Sequence, residues 1–163
     1  MTKDGYLAAK KFFEQKNDLL KAAIIIQKIC ETGIYALYPL FLLYLALVRM
    51  DDYFITSAAV CATGFLAVSF LRRRIDAQRP YEKFGFEPLI KKDTRGRSFP
   101  SRHAFSAAII AVNIGVYCLP LGIAVGIAAL LIAFLRVVLG VHFVRDVVFG
   151  LLSGAALGFI VLI

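Results

Sequence analysis

The chain contains two histidines, and each stands beside residues that suit phosphate chemistry. His142 is followed four positions later by Asp146, and His103 ends the run Phe99-Pro100-Ser101-Arg102-His103. On one helical face, a carboxylate four residues away can accept the proton of one ring nitrogen, which leaves the other nitrogen facing outward. A histidine held in this way is oriented as a nucleophile, and His103 on another segment could protonate a departing oxygen.

Three arginines in separate segments, Arg72, Arg79 and Arg136, add convergent positive charge. An arginine at mid-span costs about 2.5 to 3.5 kcal/mol on insertion scales, so a bound anion is expected to offset that cost. Planar guanidinium groups match the oxygens of a doubly charged phosphate. Ser101 stands directly before an apolar helix as its N-cap, so free backbone N–H groups would face the same anion. These residues predict a cradle for a phosphoryl group.

The same residues allow plainer interpretations. A His and an Asp four apart can bind zinc, but nearby arginines would repel a cation, and the chain has no third histidine. The Arg72-Arg73-Arg74 run can anchor a helix at the membrane surface, an interpretation that we favour for its last two members only. A solvated basic surface that attracts anionic lipid is the interpretation for four later residues, Lys91, Lys92, Arg95 and Arg97.

Composition identifies lipid as the main solvent. Hydrophobic residues make up 60% of the 163-residue chain, against about half in a soluble domain. The stretches 104–119, 121–135 and 147–163 contain no charged residue, so they lack the polar stripe that a soluble bundle turns to water. The net charge of +8 suggests nucleic-acid binding, but the membrane and an anionic substrate account for it, and no stacking aromatics accompany it.

The predicted fold is an all-α, polytopic transmembrane helical bundle. A hydrocarbon core about 30 Å thick needs roughly 20 helical residues per crossing, which allows about five spans. The first begins at Ala22 or Ile34 and ends at Val48, and the others follow at 53–71, 104–118, 121–139 and 147–163. A Leu119-Pro120 turn separates the third span from the fourth. In the last span, Gly150, Gly154 and Gly158 recur every four residues, which predicts close packing against a neighbouring helix.

Residues 1–21 alternate apolar and charged side chains. They predict an amphipathic helix at the membrane interface or, equally, a solvated helix, ahead of a membrane-embedded core at 22–163. Counting crossings places the N-terminus, the 72–103 loop and the 136–146 link on one side of the membrane. The 49–52 link, the 118–121 turn and the C-terminus lie opposite. The residues suited to phosphate chemistry therefore meet at one face.

Three clusters on that face resemble the signature of the type 2 phosphatidic acid phosphatase family, and the resemblance covers about the last two thirds of the chain. The clusters are Arg72 with Arg79-Pro80, the run 99–103, and Arg136 with His142 and Asp146. The family usually has lysine at the first position, glycine in place of Arg102, and serine in place of Leu135. An arginine at 102 either points outward or contacts a larger head group such as a diphosphate.

The resemblance implies a metal-independent lipid phosphatase with no cofactor and a phosphohistidine intermediate. His142 would attack phosphorus, Asp146 would support it and His103 would be the general acid. The residues expected to bind the substrate phosphate are Arg72, Arg79, Ser101, Arg102 and Arg136. Candidate substrates are phosphatidic acid, phosphatidylglycerol phosphate and polyprenyl diphosphate. The alternatives are a lipid phosphotransferase and a non-catalytic protein that binds anionic lipid.

The expected location is the cytoplasmic membrane of a bacterium. Basic residues other than Arg49 lie on the side of the predicted site, which points to the cytoplasmic face, whereas bacterial relatives of the family commonly work on the outer face. The sequence leaves open the membrane face, the particular lipid and the oligomeric state.

Overall fold

The computed structural model describes residues 1–49, 53–90 and 95–162. Seven α-helices lie in these ranges, and no strand does: α1 Lys3–Gln15, α2 Asn17–Tyr44, α3 Tyr53–Ile75, α4 Pro80–Phe84, α5 Arg102–Tyr117, α6 Leu119–Val138 and α7 Val144–Gly158. A π-helical turn, Leu45–Arg49, extends α2, and a 3-10 turn, Phe159–Leu162, extends α7. The predicted all-α class is confirmed. Most of the predicted 49–52 link, together with Lys91 and Lys92, lies outside the described residues.

Within the described ranges, four helical segments are long and apolar enough to cross a membrane. They are Asn17–Val48, Tyr53–Phe84, Leu119–Val138 and Val144–Leu162, and they correspond to the first, second, fourth and fifth predicted spans. The protein is therefore a multi-pass membrane protein. The third predicted span is α5, which has 16 residues. At 1.5 Å per residue it is about 24 Å long, shorter than the hydrocarbon core of about 30 Å.

Helix α5 is the centre of the bundle. Ten of its 16 residues are buried, and it packs between α6 and α7 with further contacts to α2 and α3. Its one buried amide, Asn113, accepts a hydrogen bond from Ser57 Oγ at 2.8 Å, and the Tyr53 hydroxyl donates to the Asn113 carbonyl at 2.7 Å. A polar side chain in the middle of α5 is stable because α3 supplies hydrogen-bond partners away from lipid.

Glycines bring α7 against α5, as their four-residue spacing predicted. A Cβ atom on Gly154 would lie 2.4 Å from the Phe105 carbonyl oxygen, and one on Gly150 would lie 2.7 Å from that of Ser101. A Cβ atom on Gly158 would similarly crowd Val112. The prediction of close helix packing is confirmed, and the contact holds the start of α7 beside the start of α5.

The reversal between α5 and α6 lies one residue earlier than predicted. Cys118 has extended backbone (φ −140°, ψ 93°) and both ends α5 and precedes α6. Pro120 lies in the first turn of α6. Backbone N–H groups there have no partner within the helix, so the N–H that proline lacks costs no hydrogen bond. The proline therefore starts a helix here, whereas the sequence suggested that it breaks one.

Helix α1 packs against the loops that carry the candidate site. It ends at Gln15, and α2 begins at Asn17, five residues before the predicted start of the core at 22. Tyr6 is buried among the rings of Phe84, Phe86 and Phe143, and its hydroxyl donates to the His142 carbonyl at 3.0 Å. Contact with the membrane interface stays a prediction for α1.

Candidate active site

The structure brings His142 and Asp146 together at the start of α7. His142 lies two residues before the helix, and both its N–H and that of Val141 donate to the Arg136 carbonyl at 3.1 Å. Its Nδ1 atom lies 3.6 Å from Asp146 Oδ2, and both side chains are buried. The two groups therefore do pair. His142 does so from the loop before α7 and Asp146 from the first turn of α7, whereas the sequence suggested that both lie on one face of a helix.

Asp146 is held by two further donors. The Ser98 hydroxyl donates to Asp146 Oδ2 at 2.5 Å, and the Phe143 backbone N–H donates to the same oxygen at 3.0 Å. Ser98 Oγ also lies 3.5 Å from His142 Nδ1. Charge-assisted hydrogen bonds of this kind fix a carboxylate strongly. Sequence reasoning missed Ser98, because a serine in a loop carries no spacing signal of its own.

The buried imidazole of His142 is kept neutral. Burial lowers the pKa of His142 to about 4, and the positive charges of Arg79 and Arg136 act in the same direction, while the bond to Asp146 opposes them. At neutral pH the ring therefore has an unprotonated nitrogen. Because Nδ1 faces Asp146, the nitrogen available for chemistry is Nε2.

Two of the predicted phosphate-binding arginines are fixed by backbone carbonyls. Arg79 is buried, and its guanidinium donates to the Gly96 carbonyl at 3.0 Å and to the Val141 carbonyl at 3.3 Å. Arg72 on α3 donates to the Pro100 carbonyl. These bonds leave further N–H donors on each fork, and they join α3, the loop before α5 and the loop before α7.

A cavity of about 490 Å³ opens at this junction. Its described lining includes five predicted site residues, Arg72, Arg79, Arg102, His103 and His142. Both histidines therefore face one space, as a site built from two imidazoles requires. Arg95 and Arg97, which the sequence suggested to be a solvated surface, line the same cavity.

Three other predicted site residues lie around the cavity without lining it. Asp146 stands behind His142, as described above. Ser101 is the N-cap residue of α5, but its side chain makes no capping bond, and its buried Oγ atom has no hydrogen-bond partner within the described part of the chain. Arg136 is buried, and its guanidinium donates to Glu31 Oε1 from Nη2 at 2.6 Å and from Nε at 3.2 Å.

Glu31 on α2 lies close to His103. Its Oε2 atom lies 4.0 Å from His103 Nε2, and its Oε1 atom also accepts from Gln27 at 3.1 Å. Sequence reasoning missed Glu31 as a neighbour of the site. An acid inside a largely apolar span was the signal that could have singled it out.

The fold and the cavity define a polytopic membrane protein with a cationic site that two histidines line. The family model described as the PAP2 superfamily matches residues 52–163. The chain belongs to this superfamily, which confirms the resemblance found in the sequence. Glu31 and α1 lie outside the matched residues.

Two solved structures are similar to the chain over most of its length. LpxE from Aquifex aeolicus is 27% identical, with a TM-score of 0.69 over 86% of this chain and 85% of the other. A transmembrane PAP2 type phosphatidylglycerolphosphate phosphatase from Bacillus subtilis is 28% identical, with a TM-score of 0.63 over 96% of this chain and 90% of the other. None of the curated proteins compared with the chain matches it. Family and neighbours together assign the chain to the membrane lipid phosphatases.

Proposed function

We propose that this protein hydrolyses a phosphomonoester or diphosphate of a lipid, without a metal, through a phosphohistidine at His142. The supporting observation is that His142 and His103 line the same cavity as Arg72 and Arg79, with Asp146 paired to the far side of His142. A neutral nucleophile, a second imidazole and fixed positive donors are the groups that phosphoryl transfer requires.

The first step would form the bond between His142 Nε2 and phosphorus and break the bond between phosphorus and the leaving oxygen. His103 would give its proton to that oxygen, so the lipid departs as an alcohol or a lipid monophosphate. Asp146 would stabilise the positive charge that His142 gains. Arg72 and Arg79 would hold the phosphoryl oxygens, where charge develops in the transition state. Ser101 and Arg136 are proposed to hold the same phosphate, and Arg102 is proposed to contact the rest of a larger phosphate-bearing head group, such as a diphosphate.

The second step would hydrolyse the phosphohistidine. His103, now neutral, would accept a proton from water while the water oxygen attacks phosphorus. The bond between phosphorus and Nε2 then breaks, inorganic phosphate leaves and neutral His142 is restored. One residue acting first as acid and then as base returns the site to its starting protonation state.

The candidate substrates remain phosphatidic acid, phosphatidylglycerol phosphate and polyprenyl diphosphate. The phosphatidylglycerolphosphate phosphatase from Bacillus subtilis is similar along nearly the whole chain, which supports a glycerolipid phosphate. The neighbours from Aquifex aeolicus and Bacillus subtilis also support the cytoplasmic membrane of a bacterium as the location.

Phosphate release from these three lipids by purified protein in neutral detergent, with chelator present, tests the proposal. The wild type is expected to release phosphate, and His142→Ala is expected to lose at least about a thousandfold in kcat, as removal of a nucleophile does. Elution on gel filtration checks that the variant remains folded. Activity that disappears with chelator would overturn metal independence, and equal activity in His142→Ala would overturn the nucleophile.

The intermediate itself is tested with His103→Ala and a substrate whose leaving group needs no proton, such as an aryl phosphate. The first step is then expected to proceed while hydrolysis slows, so an acid-labile phosphoryl group accumulates on His142. Transfer of the phosphoryl group to an added alcohol in place of water would identify a phosphotransferase. Lipid binding without any release from the panel would identify a non-catalytic protein.

A further inference from the structure

The cavity carries more positive charge than one phosphate group needs. Of the described residues that line it, none carries a carboxylate and six are arginines: Arg72, Arg73, Arg79, Arg95, Arg97 and Arg102. A phosphate monoester brings at most about two negative charges. Arg72 and Arg79 are bonded to the loops beside His142 and suffice to flank that phosphate. The remaining arginines repel one another across the shared cavity, and a second anion bound between them would relieve that repulsion.

The loop that carries Arg95 and Arg97 is held against the site by its backbone. The Gly96 N–H donates to both Glu82 carboxylate oxygens at 2.9 Å, and the Arg97 N–H donates to Asp76 Oδ1 at 3.1 Å. A Cβ atom on Gly96 would lie 2.4 Å from that Asp76 oxygen, so the close approach needs glycine. The backbone is fixed by acids outside the cavity, and the two guanidiniums are left to line it.

Arg102 faces the same space from the first turn of α5. Its guanidinium carbon lies 5.2 Å from the centre of the Phe65 ring on α3, a contact that positions the charge while leaving its N–H donors unused. In the part of the chain that the structure describes, Arg95, Arg97 and Arg102 pair with no carboxylate. All three residues are exposed, and all three line the cavity.

We infer that Arg95, Arg97 and Arg102 form a second anion subsite, which binds another phosphate group of the same lipid head group. The inference rests on the proposed function and narrows its substrate class to lipids that carry two phosphates. Two head groups fit this chemistry: a diphosphate, and a phosphomonoester joined to a phosphodiester through a short polyol.

For a diphosphate, the bond that breaks joins the terminal phosphorus to the bridging oxygen. The terminal phosphoryl group goes to His142, and the lipid keeps the inner phosphate, which the subsite would hold as the leaving group. Positive charge there stabilises the charge that builds on the leaving oxygen. For the diester head group, the same arginines would bind the phosphodiester without contacting the reacting oxygen.

The test compares two pairs of substrates matched in their lipid tails, in neutral detergent. One pair is a polyprenyl diphosphate and the monophosphate of the same alcohol, and the other is phosphatidylglycerol phosphate and phosphatidic acid. The variant is Arg95→Gln with Arg97→Gln. The control, Arg74→Gln with Lys83→Gln, removes equal charge from two exposed residues that do not line the cavity.

The Arg95 and Arg97 variant is expected to lose at least about tenfold in kcat/KM for a two-phosphate lipid. Its kcat/KM for the matching monophosphate should change by less than about threefold, and the control should leave both values unchanged. The substrate pair in which only the two-phosphate lipid loses kcat/KM identifies the head group that the subsite binds. Equal loss on both members of each pair, or loss in the control as well, would overturn the subsite.

Inorganic pyrophosphate and phosphate separate this inference from the proposed function. Pyrophosphate is expected to raise the thermal midpoint of the wild type more than equimolar phosphate does, and the difference should vanish in the Arg95 and Arg97 variant. If the wild type binds pyrophosphate in this way but releases phosphate from no lipid, the proposed function fails and the subsite stands. Equal shifts for the two anions in the wild type would refute the subsite alone.

Discussion

Glu31 Oε1 lies 2.6 Å from Arg136 Nη2, and this pair joins α2 to α6 behind the cavity. Both side chains are largely buried, with 18% and 5% of their surfaces exposed. The second Glu31 oxygen lies 4.0 Å from His103. The Glu31 carboxylate on α2 therefore contacts Arg136, which is predicted to bind phosphate, and lies near His103, the proposed general acid.

Replacing Glu31 by alanine is expected to destabilise the protein, because the buried Arg136 guanidinium loses its carboxylate. The expected loss is about 1 to 3 kcal/mol in the free energy of unfolding, seen as a lower thermal midpoint in detergent. Glu31→Gln keeps an oxygen acceptor and should lose less. The control is Glu14→Ala, which removes the pair between the exposed Glu14 and the half-buried Lys10 at 3.5 Å and should change little. Equal midpoints for Glu31→Ala and Glu14→Ala would contradict the prediction.

The Ser98 hydroxyl is expected to matter for turnover more than for binding. Ser98→Ala removes the 2.5 Å bond to Asp146, so the carboxylate is less well placed to stabilise a charged His142. We expect kcat to fall by about tenfold, the cost of a hydrogen bond to a charged group, with KM unchanged. Ser153→Ala is the matched control, since in the described ranges that hydroxyl bonds to carbonyls of its own helix. A raised KM with unchanged kcat would assign Ser98 to substrate binding.

The stability of the fold should fall on mild acidification. Burial lowers the pKa of His142 to about 4, whereas an unfolded chain binds the proton near pH 6.5. Between those two values the unfolded state binds a proton that the folded state does not, so acid favours unfolding in that window. Above pH 6.5 both states are neutral at His142 and the effect is absent.

Thermal midpoints in detergent at pH 5 and pH 7.5 measure this dependence. The wild type is expected to have the lower midpoint at pH 5, and His142→Gln should show a smaller difference, because glutamine binds no proton. An identical difference in both proteins would mean that another group controls the acid sensitivity.

The contact between α5 and α7 should tolerate no added methyl group. Gly154→Ala would place its Cβ atom 2.4 Å from the Phe105 carbonyl oxygen, and overpacking of this kind costs about 1 to 3 kcal/mol. Gly126→Ala on α6 is the control, because a Cβ atom there meets nothing within 4 Å. It should be neutral or slightly stabilising, as alanine favours helix. Measured side by side, the thermal midpoint should fall in Gly154→Ala and should stay the same or rise slightly in Gly126→Ala.

The local parts of the site could be predicted from the sequence. His142 with Asp146, and the arginines around them, are recognised by spacing along the chain, and both histidines do line one cavity. The hydrogen-bond partners of the site that the sequence did not reveal are distant along the chain. Ser98 lies 48 residues from Asp146, Glu31 lies 105 residues from Arg136, and Tyr6 lies 136 residues from His142. Only the tertiary fold creates these contacts.

The apolar pattern predicted the positions of the helices well, but it did not predict whether lipid or protein surrounds each one. Hydropathy reports how poorly a segment dissolves in water, and it does not distinguish a lipid-facing helix from one enclosed by protein. The third predicted span, α5, therefore had the composition of the others although it is shorter and more buried. The same limit applies to the loop that carries Arg95 and Arg97. Its basic composition does not show whether these side chains lie on an open surface or line a cavity, as they do here.

The central position of α5 has a consequence for the order of biosynthesis. The ribosome delivers α5 before α6 and α7, yet those two helices cover most of its surface. Until α6 and α7 have been made, Asn113 on α5 is not fully enclosed by protein, as it is in the complete fold. Since His142 and Asp146 are made after α6, this pair forms only when α7 has inserted against the glycine-lined contact. A ribosome stalled before residue 142 would hold a bundle with most of its arginines and without the proposed nucleophile.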